Sequence, residues 1–276
     1  REHRVAESPL LLLALLFAIA VIIALATRSI GSNRRISFLR ETGLMLVAFF
    51  IYHMARSVTE GEVSEALQHA YLITDLEKSL GLFVEPTWQA AIVGERWLVD
   101  LANWTYLWAF WPFIGTVAIW LYHSRPSTYR LFRNAFLISG AIGLIFFVLF
   151  PTAPPRLADL GFVDTVVEHS NFYHLLQPPQ LTNQYAAFPS LHFGWVLLIG
   201  IVLIAESPRL GVKALGAVVP IAMGISIVLT ANHYILDAVG GGMVALIGLG
   251  FAVLLSRRRE RSAGRTPVPR QPIANV

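Results

Sequence analysis

Seven apolar runs, at residues 9–26, 42–57, 98–122, 134–150, 190–205, 214–231 and 235–255, constrain this chain more than any other feature of its sequence. About 20 apolar residues in helical conformation cross the hydrocarbon core of a bilayer, and a helix satisfies its own backbone hydrogen bonds where no water can. The expected fold is therefore all-α: a polytopic membrane helical bundle of six or seven transmembrane helices. Composition agrees, because 55% of the 276 residues are apolar and 14% are charged, against about 25% charged in an average soluble domain. No stretch is left for a separate soluble domain. Cysteine is absent, which removes disulfides, thiolate zinc sites and cysteine nucleophiles.

Charge placement orients the bundle. Residues 27–41, 123–133, 206–213 and 256–276 hold 15 of the 21 Lys and Arg, and only Glu41, Glu206 and Glu260 of the 17 acidic residues. Arg1, Arg4, Arg56, Lys78, Arg96 and Arg156 fall on the other side. By the positive-inside rule the first group is cytoplasmic, giving seven spans with the N-terminus outside and the C-terminus inside. The net charge of +4 then encodes orientation rather than a nucleic-acid partner. The run at 9–26, with Arg1 and Arg4 ahead of it, also suits a cleaved signal peptide; the charge pattern favours a retained span.

Three organisational units follow: membrane helices and an outer segment at 1–133, a catalytic core at 134–255, and a basic tail at 256–276, expected to be disordered. In the outer segment 58–97, Ala66, Ala70, Ile73, Leu76 and Leu80 recur at helical spacing, which predicts a surface amphipathic helix. Residues 152–189, rich in Pro, Asn, Gln and His, read as an ordered loop or lid. Gly240, Gly241, Gly242, Gly248 and Gly250 read as helix-packing positions, and Trp97, Trp104, Trp108, Trp111 and Trp120 as an interfacial belt with packing. His53 and Arg56 stand near the outer end of the second run, where they can touch a lipid headgroup or pair with Glu60.

Polar side chains at membrane depth are costly, so each is a site candidate until a partner is found. Two sets stand out. In the first, Pro189 and Ser190 suit a helix start and place His192 in its first turn, where unpaired N–H groups favour a phosphate. In the second, Asn232 can cap the last helix, and a separation of four puts His233 and Asp237 on one face. The fifth run starts outside, and the seventh begins where the sixth ends outside, so both sets share one membrane face. One histidine can attack phosphorus while the other protonates the leaving oxygen, without metal or cofactor. A proton-relaying transporter is the contrasting reading; interrupted helices and repeated halves, its usual signs, are not evident.

Pro189-Ser190-Leu191-His192 and His233-Tyr234-Ile235-Leu236-Asp237 resemble the second and third signatures of the type 2 phosphatidic acid phosphatase superfamily. Phe150-Pro151-Thr152-Ala153-Pro154-Pro155-Arg156 resembles its inositol phosphorylceramide synthase branch. The resemblance covers residues 134–255 well and the first three runs loosely. It implies His233 as nucleophile, Asp237 orienting it, His192 as general acid and then base, and Ser190 and Arg156 as phosphate ligands. Three phosphate ligands of the phosphatase pattern are missing: Arg125-Pro126 has Ala118 at its Lys position, the Ser-Arg pair reads Ser226-Ile227, and Leu191 replaces a glycine. That favours the synthase-like branch and throws weight onto Arg156. The implied substrate is a phospholipid or polyprenyl phosphate. Hydrolysis and headgroup transfer differ only in the hydroxyl that reaches the phosphoenzyme.

The charge asymmetry places a multi-pass protein in the plasma membrane with its site on the outer face. Because the sequence holds no cysteine, Leu160→Cys and Ser262→Cys give single labelling positions. In intact cells an impermeant thiol reagent is expected to label position 160 and leave 262 untouched; the reverse pattern overturns the orientation.

Overall fold

The computed structural model describes residues 34–58, 63–169 and 183–263, and within these the chain is helical with no strand. The helices are α1 (Arg34–Val58), α2 (Val63–Ser79), α3 (Glu85–Val93), α4 (Arg96–Trp104), α5 (Phe110–Ser124), α6 (Pro126–Leu149), α7 (Thr165–His169), α8 (Leu191–Glu206), α9 (Leu210–Leu229) and α10 (Ile235–Ala263). A π-helical turn, Thr105–Ala109, joins α4 to α5. Among the described residues four helices are long and apolar enough to cross a membrane: Arg96–Ser124, Pro126–Leu149, Leu210–Leu229 and Ile235–Arg258, with Leu191–Glu206 a shorter apolar helix. The run at 9–26 lies outside the described residues, as do the side chains of His53 and Arg56.

Element boundaries depart from expectation where local chemistry overrides the apolar pattern. The polar stretch 123–133 shrinks to Arg125, because Pro126 takes the first position of α6, where a missing N–H costs nothing. Arg133, counted above with a cytoplasmic loop, is 2% exposed and pairs with buried Glu41 of α1 while donating to Asn134 Oδ1. A charge taken out of water needs such a partner. The tail expected after residue 255 begins as helix: α10 continues through Arg257 and Arg258 and is described as far as Ala263. The outer segment forms two helices rather than one, with Gly81 at φ +68 in the turn between them. Leu76 and Leu80, assigned to its apolar stripe, are exposed; Glu77 is buried instead.

The core of the bundle is α6, α8, α9 and α10, with α5 and α1 packed outside α6. Tight crossings depend on glycine. A Cβ on Gly241 would lie 1.9 Å from Ser190 O, one on Gly194 2.4 Å from Gly241 O, and one on Gly200 2.4 Å from Gly216 O. Gly240 meets the Phe188 ring and Gly248 the backbone of α6, whereas Gly250 has nothing within 4 Å and is no packing glycine. The far end of the bundle is tied by Arg125 to Glu206 at 3.2 Å and by Thr128 to Glu206 at 2.8 Å. Helix direction puts the starts of α8 and α10 at the opposite end, beneath α2 and α3. There the lid is pinned: Thr152 N donates to Tyr185 O, Ala187 N to Thr152 O, and Ala153 N to Ala66 O.

Because backbone, not a flexible side chain, opposes Gly241, Gly241→Ala is expected to destabilise the fold by about 3 kcal/mol or more. Gly250→Ala is expected to be neutral or stabilising by up to about 1 kcal/mol, as alanine is the better helix former. Thermal unfolding in detergent compares the two; equal melting temperatures would refute the packing role.

Candidate active site

The five residues singled out above gather at the end of the bundle capped by α2 and α3. His233 lies just ahead of α10, and its Nδ1 faces two acceptors, Ala187 O at 2.8 Å and Asp237 Oδ2 at 3.2 Å. Two acceptors require a hydrogen on Nδ1, so in the neutral ring the lone pair sits on Nε2. Asp237 is fully buried, and its Oδ2 also takes Tyr234 N–H at 3.0 Å, a third-position carboxylate reaching back to the residue before the helix. Its backbone oxygen accepts Ser190 N–H at 2.9 Å, which ties α10 to the start of α8.

His192 stands in the first turn of α8, and its ring centroid is 6.0 Å from that of His233. Tyr106 and Phe110 hold it from the side, each with centroids 4.6 Å away. Both come from the π-helical turn and its junction with α5. Ser190 caps α8 by accepting Phe193 N–H at 3.5 Å and is fully buried. Leu191, where the family pattern has a glycine, turns away into the bundle and packs on Gly143.

Arg156 reaches the same place through its backbone and side chain. Its N–H donates to Ala231 O at 3.0 Å, and its guanidinium donates to Asn232 Oδ1 at 3.1 Å and to Asp164 Oδ2 at 2.9 Å. Asn232, the expected helix cap, does something else: it accepts from Arg156 and donates to Thr230, leaving the first turn of α10 to other groups. Ile227, where the phosphatase pattern has arginine, is buried in the core, and its carbonyl accepts the N–H groups of Asn232 and His233.

Sequence reasoning missed the groups that do cap α10. Glu85 Oε1 takes Ile235 N–H at 3.1 Å, and Glu77 Oε1 takes Leu236 N–H at 2.8 Å. Both are fully buried. A signal was present: Ala66, Ala70, Ile73 and Glu77 lie on one helical stripe, so a carboxylate occupies a position whose neighbours on the stripe are core. Tyr106, Phe110 and Asp164 were also missed; nothing in the linear order of the chain links them to His192 or Arg156.

The family model described as the PAP2 superfamily matches residues 72–251, and the chain belongs to that superfamily. With four described helices long and apolar enough to cross a membrane, it is a membrane member of that superfamily. Within that class it resembles the inositol phosphorylceramide synthase branch: it is 27% identical over 199 residues to the phosphoinositol dihydroceramide synthase of Bacteroides thetaiotaomicron. The aligned part is 63% of this chain and 64% of that protein, so the chain spans somewhat less than two thirds of the curated relative. No solved structure matches.

Proposed function

We propose that the protein is a lipid phosphotransferase that moves a phospho-headgroup from a phospholipid to a lipid or glycolipid hydroxyl through a phosphohistidine. The observation that carries this reading is the pair of acceptors on His233 Nδ1, which leaves Nε2 as a nucleophile, with a second imidazole 6.0 Å away by ring centroid. Nε2 attacks phosphorus as the bond to the leaving oxygen breaks, and His192 gives that oxygen its proton. His192, now neutral, takes the proton of the acceptor hydroxyl, whose oxygen attacks phosphorus and frees His233. Asp237 holds the ring and stabilises the charge it gains. Arg156 and the Ser190 hydroxyl, at the N-terminal end of α8, receive the phosphate oxygens.

Transfer is favoured over hydrolysis by the named activity of the bacterial relative and by the missing ligands of the phosphatase pattern. An apolar cavity of about 470 Å³ between α1, α5 and α6, walled by Trp111 and Trp195, lies within the lipid-facing part of the bundle and suits an alkyl chain. Trp195 is three residues beyond His192. Water in place of the lipid hydroxyl gives the phosphatase reaction, and the polyprenyl or phosphatidate esters remain its substrates in that case. We place the site at the outer leaflet of the plasma membrane, from the basic residues at the opposite end.

Two histidines and one carboxylate complete the chemistry without a metal, so EDTA is expected to leave the rate intact; loss restored by one divalent ion would overturn this. Rapid quench with a labelled aryl phosphodiester is expected to trap acid-labile, base-stable label on the wild type and none on His233→Gln. His192→Gln is expected to form it, since an aryl leaving group needs little protonation, and to discharge it slowly. Asp237→Asn removes the negative charge that stabilises the imidazolium formed on His233 and is expected to cost up to about 10⁴-fold in rate. Label on His233→Gln with none on His192→Gln would reverse the two roles, and label on neither nor on wild type would replace the covalent route by direct transfer.

A further inference from the structure

The first turn of α10 is capped by three carboxyl groups in a space closed to water. Asp237 takes the N–H of Tyr234, Glu85 of α3 that of Ile235, and Glu77 of α2 that of Leu236. Adjacent N–H groups bring Glu77 and Glu85 side by side. Each uses Oε1 as acceptor, and in each the other oxygen, Oε2, is buried with no donor within reach among the described residues. Two ionised carboxylates so placed would repel each other with little solvent to screen them, and two such groups sharing a site hold a proton between them.

We propose that Glu77 and Glu85 are positioning residues, a carboxylic acid and a carboxylate that share one proton between their Oε2 atoms and so fix the first turn of α10. This rests on the roles given above to His233 and Asp237, which stand on either side of the capped N–H groups. The shared hydrogen gives both stranded oxygens a partner. It also leaves a single negative charge on the positive end of the helix dipole, in addition to Asp237. Burial first, and the Glu85 carboxyl beside it second, push Glu77 from 4.5 up to about 9, against a lowering from the Leu236 N–H; Asp237 adds to the rise. Glu85 on α3 and Tyr234 and Asp237 at the start of α10 are the titratable groups that act with it. Since α2 and α3 belong to the outer segment, the pair joins that segment to the residues that would perform the reaction.

The sign of the pH effect follows from the raised value. The fold holds a proton that the unfolded chain releases above 4.5, so this contribution to stability is complete below 4.5 and is lost as pH rises through about 9. In Glu77→Gln, Oε1 still accepts Leu236 N–H and Nε2–H donates to Glu85 Oε2, replacing the shared proton with a fixed one. Glu77→Ala leaves Leu236 N–H unpaired and Glu85 without its partner.

The test uses the full chain in detergent, with turnover of the aryl phosphodiester and thermal unfolding both followed from pH 6 to 10. Wild type is expected to lose melting temperature and kcat toward pH 9, and E77Q to show neither decline while keeping neutral-pH turnover within about threefold. E77A is expected to lose kcat by more than about tenfold with KM little changed, the cost of one stranded N–H at the turn that holds His233. Should E77A not fold, the E77Q profile against wild type carries the decision. An alkaline decline that persists unchanged in E77Q overturns the shared proton. An E77A loss confined to KM, or absent, overturns the positioning role. If wild type turns over no phosphodiester at all, the proposed reaction falls, while the unfolding slopes still decide whether the pair shares its proton.

Discussion

The contact on which the candidate site depends is backbone against backbone, where α8 and α10 cross at Ser190 and Gly241. A methyl group on Gly241 would sit 1.9 Å from Ser190 O, so no other residue allows this approach. Because the helices touch, Ser190 N–H can reach Asp237 O at 2.9 Å, and a residue from each helix start is brought into one small space. In lipid, where apolar burial drives helix association only weakly, small residues and interhelical hydrogen bonds are what hold such a crossing. Gly194 opposes Gly241 from the other helix, and the pair of glycines sets how far apart His192 and His233 stand.

Around that crossing most polar groups have a partner, the exceptions among the described residues being Glu77 Oε2, Glu85 Oε2, Tyr234 Oη and Asp237 Oδ1. His233 Nδ1 has two acceptors, Asn232 bridges Arg156 and Thr230, and the opening N–H groups of α10 end on carboxylates. Leaving such a group unpaired away from water costs about 1–3 kcal/mol. The arrangement therefore restricts which rotamers the candidate residues can adopt. It also explains why α2 and α3, which do not cross the bundle, are held so firmly to it: the loop they form supplies the caps.

Much of this was legible in the chain. The helical class, four of the spans, the packing glycines near 241 and the meeting of His192 with the His233 and Asp237 pair all follow from apolar run length, glycine placement and spacing along one helix. Those signals are local or nearly so. The groups that escaped, Glu77, Glu85, Tyr106 and Asp164, act across 86 to 159 positions, or eight in the case of Asp164 across a turn, and no periodicity reports such meetings. Boundaries failed for a different reason. An apolar run marks where lipid would surround a helix, whereas the helix itself continues for as long as its residues favour it, as at Pro126 and through Arg257 and Arg258.

The π-helical turn at Thr105–Ala109 has an evolutionary consequence. It amounts to one residue more than a regular helix needs between α4 and α5, and each residue of an α-helix advances the face by about 100°. Loss of a single codon there would smooth the helix and rotate everything before it by that angle relative to everything after. Tyr106 and Phe110, which flank His192 together, would then part company. Drift in length is thus barred from these five positions, although the helix on either side can exchange one lipid-facing residue for another freely.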